Sequence, residues 1–219
     1  MPKHDQAPPP KAAAEALAAL RAGNTRFAQN VRSIDSLLSQ ARRDDLAAGQ
    51  SPFAIVLSCS DSRVPAEIVF DCGLGDLFVV RVAGNVVAPS LVGSVEFAAA
   101  KFGTELVVVM GHTGCGAIAA ALDALLKRGE TLSDNVRDIV DRITPSVVEL
   151  VAAGLPEAEL VRAATRANIR NAADHMRHGS RVLEQRIAQG KLFVVGAEYD
   201  LRTGAVDFFD LPASVTAAT

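Results

Sequence analysis

The chain has 219 residues, 49% of them apolar, and a formal net charge of −3. That length suits one domain with helical additions, and that composition can fill a sizeable core. Lysine and arginine are scattered rather than gathered into a stripe, which argues against a nucleic-acid partner.

Residues 1–10 end in three prolines and read as a flexible arm. They contain no apolar core of the kind a secretory signal needs, so a cytoplasmic protein is the expectation. Residues 11–29 are rich in alanine and leucine, with Leu17, Leu20 and Phe27 on one helical stripe; a second helix is expected over 37–48, ended by Gly49. The pattern then changes to short apolar runs at 53–58, 77–82, 105–110 and 192–195. Continuous rather than alternating apolar strands are the mark of a parallel sheet covered on both faces. Helical stretches lie between them at 90–102, 114–127, 134–152 and 156–188, with Pro145 expected to kink or break the third. A last strand at 205–209 follows the turn 201–204 and can form a hairpin with the strand before it. No run approaches the roughly 20 apolar residues of a membrane-spanning helix.

The expected architecture is therefore α/β: a mostly parallel sheet of about four strands with an antiparallel edge strand, flanked by helices. One domain is expected over 11–219, with N-terminal helices to residue 49, a sheet core over 50–130 and C-terminal helices and strands over 131–219.

In an open parallel sheet, ligands bind beyond the carboxyl ends of the strands. Two loops meet that condition. The run 53–58 leads into Cys59-Ser60-Asp61-Ser62-Arg63, and the run 105–110 leads into Gly111-His112-Thr113-Gly114-Cys115-Gly116. Two thiolates and an imidazole suit zinc, and a carboxylate oxygen can complete the tetrahedron. Taken alone, H-x-x-C is a weak signal and C-x-D-x-R a moderate one, because a free cysteine is commonly a small core residue. Their joint placement at two parallel strand ends is a strong one. A purely structural zinc site is closed by four permanent protein ligands; Asp61, with Arg63 two residues on, suggests a fourth position that opens.

These residues resemble the β-class carbonic anhydrases. C-S-D-S-R-V at 59–64 and H-x-x-C-G-A at 112–117 are similar to that family's two zinc-ligand motifs, and the stretches 75–81 and 83–85 resemble a further signature. The resemblance implies that Cys59, His112 and Cys115 bind Zn2+, with Asp61 able to join them, and that Asp61 and Arg63 form a catalytic carboxylate–guanidinium pair. It implies that Gln50 hydrogen-bonds substrate and that Gly116 lines the pocket. Phe78, Ala83 and Phe97 align with apolar pocket residues that a neighbouring subunit contributes, and a homodimer or homotetramer is expected. Cys72 departs from the family pattern and reads as a core cysteine. Val56 stands where some relatives carry the tryptophan of an inhibitory bicarbonate site, with Arg81 and Tyr199 near its other components, and regulation of that kind is not expected.

The implied reaction is the reversible hydration of carbon dioxide to bicarbonate, with zinc lowering the pKa of a bound water. Rival readings are a relative acting on carbonyl sulfide or carbon disulfide, and a non-catalytic zinc or bicarbonate sensor. A phosphate- or dinucleotide-binding loop at Gly111, Gly114 and Gly116 has the wrong glycine order and leaves Cys59, Asp61 and Arg63 unexplained. His175 and His178, three apart on an expected helix, read as part of a solvated face.

Overall fold

The computed structural model describes residues 11–33, 40–128 and 132–212. The arm expected at 1–10 and the opening of the helix expected at 37–48 lie outside them. Five strands form one sheet: β1 (Ala54–Ser58), β2 (Leu77–Arg81), β3 (Leu106–His112), β4 (Phe193–Tyr199) and β5 (Val206–Asp210), in the order β2-β1-β3-β4-β5. The first four run parallel and β5 returns antiparallel to β4. Every residue of β1 and β3 is buried, which is why their sequences carry no alternation. The apolar run 192–195 predicts a strand that ends near Gly196. The strand runs on to Tyr199, beyond the apolar stretch, because Gly196 to Tyr199 are paired on both sides by β3 and β5.

Helices cover both faces. On one side α1 (Ala13–Ala28) and the short α3 (Ala66–Val69) pack Leu17, Leu20, Val69 and Phe70 against Val56, Val108 and Met110. On the other, α4 (Pro89–Phe102), α7 (Glu157–His178) and α8 (Arg181–Ala188) cover Ile55, Leu57, Val107 and Val109. A third apolar group joins α5 (Gly116–Leu125), α6 (Asp134–Ala152) and α7 around Cys59 and Cys115. A further helix, α2 (Gln40–Ala47), precedes β1.

The helix expected at 134–152 keeps those bounds, and the span expected at 156–188 divides. Pro145 lies inside α6 without ending it. Proline removes a backbone donor, but Asp141 and Pro145 both lie on the exposed face, where water can serve the freed carbonyl. The stretch 156–188 is two helices. Ser180 caps α8 by accepting from the Leu183 N–H at 3.2 Å, while a side chain on Gly179 would lie 2.6 Å from the His175 carbonyl oxygen.

The sheet order places the reversal of winding between β1 and β3, whose ends both point toward the residues singled out above. Close packing of α1 sets the far layer. A Cβ on Gly23 would sit 1.9 Å from the Phe70 carbonyl oxygen, a backbone atom that has no rotamer to yield. Gly23→Ala is therefore expected to lower stability by about 2 kcal/mol through overpacking, read as an earlier urea midpoint at unchanged slope.

Candidate metal centre

Cys59 follows the last residue of β1, His112 is the last residue of β3, and Cys115 is the residue before the first turn of α5. Their exposures are 4%, 0% and 4%, and their ligand atoms all lie within 4.8 Å of one another. His112 Nδ1 is 3.0 Å from the Thr113 carbonyl oxygen, which can only accept, so this nitrogen carries the proton. Nε2 is then a bare lone pair, buried and without a hydrogen-bond partner. Such an atom is costly unless something completes it. The two sulfurs face a similar problem. A proton from Cys115, with backbone N–H groups of Asp61 and Gly84, favours the Cys59 thiolate; Cys115 is pushed up because its proton is held by that thiolate and because it is buried. One cation about 2.0–2.3 Å from each donor would replace the shared proton and satisfy Nε2 together. The residues present thus fit a metal ion.

Asp61 and Arg63 pair within the turn that follows β1. Arg63 Nε donates to Asp61 Oδ1 at 2.9 Å, Nη2 donates to Oδ2 at 2.6 Å, and the Arg63 backbone N–H adds a third bond to Oδ1 at 2.9 Å. The guanidinium holds the Asp61 carboxyl well below the usual carboxylate range. Oδ2 also lies 3.9 Å from His112 Nε2, so the pair borders the donor cluster. Arg63 Nη2 reaches the Gly114 carbonyl oxygen at 3.4 Å, linking the two loops. Arg81, at the end of β2, braces the first loop by donating to the carbonyls of Cys59 at 3.1 Å and Asp61 at 2.7 Å.

The remaining candidates divide by position. Ala83 belongs to the 3₁₀ turn Ala83–Asn85, whose Gly84 donates its N–H to Cys59 Sγ at 3.3 Å. Gly116 opens α5 beside Cys115, with open space beyond its Cα. Gln50 is exposed and precedes β1, while Cys59 follows it; about 17 Å of strand separates the two ends. Phe78 pairs in register with Ile55, near the amino end of β1, and packs with Phe97 and Phe102 at centroid distances of 6.4 and 6.1 Å. Within one chain, then, Gln50, Phe78 and Phe97 are not brought to the cluster. Val56 and Tyr199 are core residues, and Tyr199 packs on Phe27. His175 and His178 are exposed and join no group of three or more metal-type donors among the described residues.

The sequence reading sets Arg81 only near the components of a regulatory site that is not expected here, and it gives no role to the Gly84 N–H. A signal existed for the second: Gly84-Asn85 couples the two residue types most tolerant of positive φ, and both adopt it, at 68° and 44°.

A doubly covered parallel sheet with a Cys–His–Cys cluster beyond its strand ends defines an α/β protein built around a metal site. A family model described as carbonic anhydrase matches residues 54–206. A carbonic anhydrase of Mycolicibacterium smegmatis is 40% identical over 189 residues, covering 86% of this chain and 89% of that one. Carbonic anhydrase 2 of Mycobacterium tuberculosis is 40% identical over 186 residues, covering 85% and 87%. Among solved structures, the β-carbonic anhydrase CafA of Aspergillus fumigatus aligns with a TM-score of 0.69 at 27% identity, over 92% of this chain and 96% of that one. The chain belongs to the β-class carbonic anhydrase family, and it is an enzyme of that class, a lyase that hydrates carbon dioxide.

Cys72 is half-buried and packs against the first apolar group. Burial, with Asp76 and Asp71 adding, pushes its thiol up to about 12. An unfolded cysteine loses its proton near pH ~8.5, so through the window between those values the native chain binds the extra proton. Stability should fall as pH rises across that window, and Cys72→Ala should shrink the fall. Urea midpoints of both proteins at neutral and strongly alkaline pH check this; an unchanged alkaline loss in the variant counts against it.

Proposed function

We propose that the enzyme interconverts carbon dioxide and bicarbonate with a zinc ion held by Cys59, His112 and Cys115. The observation that carries this is the convergence of three buried donors on one point, with His112 Nε2 left bare. Two thiolates and an imidazole form a donor set zinc favours, and three protein ligands leave a fourth position for chemistry. Zinc held there supplies Lewis-acid activation of the attacking water.

The chain's own residues do the rest. Arg63 clamps both oxygens of Asp61, keeping the carboxylate ionised and away from the donor cluster. In that pose Asp61 accepts a hydrogen bond from the attacking water and so fixes the direction of its lone pair, while remaining ionised. Released from Arg63, the same carboxylate can swing to the fourth position and close the site; Oδ2 at 3.9 Å from His112 Nε2 makes that a short movement. Two anionic sulfurs give the metal more negative charge than imidazoles would, so activity rises toward alkaline pH.

A second copy completes the site. Phe97 is 55% exposed and meets Phe102 edge to face at 5.8 Å beside the edge strand β2. An aromatic cluster next to an unpaired strand edge is a surface that a partner covers. Gln50, Phe78 and Phe97 then serve the neighbouring site: Gln50 donates to the oxygen that becomes bicarbonate, while the rings, with Ala83 and Gly116, wall a pocket suited to a nonpolar substrate. The active species is a homodimer or homotetramer. Three free cysteines suit a reducing compartment, and the cytoplasm is the proposed location. No helix among the described residues is long and apolar enough to cross a membrane.

Stopped-flow hydration of carbon dioxide by zinc-quantified protein tests the reading. The expected result is about one zinc per chain and a rate that climbs from neutral to alkaline pH. Full zinc without turnover rejects it, and turnover of carbonyl sulfide or carbon disulfide instead would identify the rival substrate. Asp61→Asn and Arg63→Ala should each lower kcat/KM by roughly 10²-fold or more, and a wild-type rate in either sinks the gate. Co-expressing Gln50→Ala with Cys59→Ser should restore about a quarter of wild-type activity, since mixed dimers carry one complete site. Absence of any gain above the separate variants would place Gln50 outside the partner's site.

A further inference from the structure

Two backbone N–H groups point at Cys59 Sγ, and one of them is anchored from a distant helix. Asp61 donates at 3.4 Å from the partly exposed loop, while Gly84 donates at 3.3 Å from buried surroundings. Gly84 holds its pose in the left-handed region, at φ 68° and ψ 15°. A Cβ there would meet Ala117 Cβ at 2.9 Å and Ile143 Cδ1 at 3.0 Å, so no other residue fits without displacement. The carbonyl oxygen of this same residue is buried and accepts from Asn168 Nδ2 at 2.8 Å. Asn168 lies on α7, is 2% exposed and sits 84 residues further along the chain.

Apart from Thr165, the other buried residues of α7 are apolar, among them Ala164, Ile169, Ala172 and Ala173. An amide in that row is costly to bury and needs a specific partner, and the partner it has is the residue that hydrogen-bonds a metal-ligating sulfur.

We propose that Asn168 is a positioning residue of the metal centre, fixing Gly84 so that its N–H stays on Cys59 Sγ. This rests on the metal-centre reading above. A hydrogen bond to a ligating thiolate withdraws charge from the sulfur and so tempers how much it gives the metal; partners of this kind are what orient ligands and tune a site. Without the Asn168 amide the Gly84 carbonyl becomes a buried acceptor with no donor, and the turn gains a reason to rotate away. Asn168 touches neither substrate nor metal. Its action is transmitted through one residue and two hydrogen bonds.

The test uses the cobalt-substituted enzyme as wild type, Asn168→Leu and Asn168→Gln. Leucine keeps the bulk of asparagine and removes the donor; glutamine keeps an amide. In the leucine variant the sulfur-to-cobalt charge-transfer band should move to lower energy, and chelator competition should show zinc held about tenfold more weakly. The glutamine variant should recover toward wild type in both readouts. A folded leucine variant with the wild-type band and zinc affinity overturns the proposal. Should that variant fail to fold, cadmium-113 NMR of the wild type decides: coupling between the Gly84 amide proton and the metal through Sγ is expected, and its absence overturns the proposal. A wild-type chain that takes up neither cobalt nor zinc overturns this inference and the proposed function together, whereas normal loading and turnover with a silent leucine variant overturns only the former.

Discussion

The parallel pairing of β1 with β3 is the constraint on which the site depends. Ser58 lies opposite Met110, so Cys59 leaves one strand one residue later while His112 ends the other two residues later. Both strands are buried along their whole length, which holds the register firmly: a slip of one residue would turn every side chain to the opposite layer. His112 and Cys59 reach a common point only because that register is kept. Cys115 is added by the turn at Gly114, whose φ of 67° folds the chain back toward its own strand end.

Around that point the polar groups are arranged to manage negative charge. Cys59 accepts two backbone N–H bonds, Asp61 is covered by a guanidinium, and Arg81 bonds to two carbonyls of the same loop. The two arginines differ in what they can do. Arg81 grips backbone and so fixes where Cys59 and Asp61 start. Arg63 grips a side chain, with its own side chain 56% exposed, so its bond can be exchanged at modest cost.

Farther out, buried polar groups tie the layers to the sheet. Asn24 on α1 donates to the carbonyls of Val69 and Gly204 and accepts from the Val206 N–H, so one side chain joins the first helix, α3 and the β4–β5 turn. Arg166 on α7 spans Glu198 on β4 and Asp207 on β5, holding the antiparallel edge strand. Asn24 and Glu198 are buried and would be costly unpaired, so their partners favour one arrangement of helices over other apolar packings.

The sequence by itself determined the fold class and the donor set, for two physical reasons. Continuous apolar runs such as those of β1 and β3 are stable only when covered on both faces, and thiolates and imidazole at the ends of such runs have few uses other than a metal. The break at Gly179-Ser180 was legible in the same way, as a glycine followed by a capping serine, although the apolar periodicity running through it suggested one span. Tertiary structure alone decided the rest. β4 ran to Tyr199 because strands on both sides took up its backbone groups. Gln50, Phe78 and Phe97 proved remote from their own chain's cluster, since the two ends of a strand cannot meet. Nor could any local pattern reveal that Asn168 grips Gly84: a hydrogen bond between residues 84 apart exists only once the helix and the turn have packed.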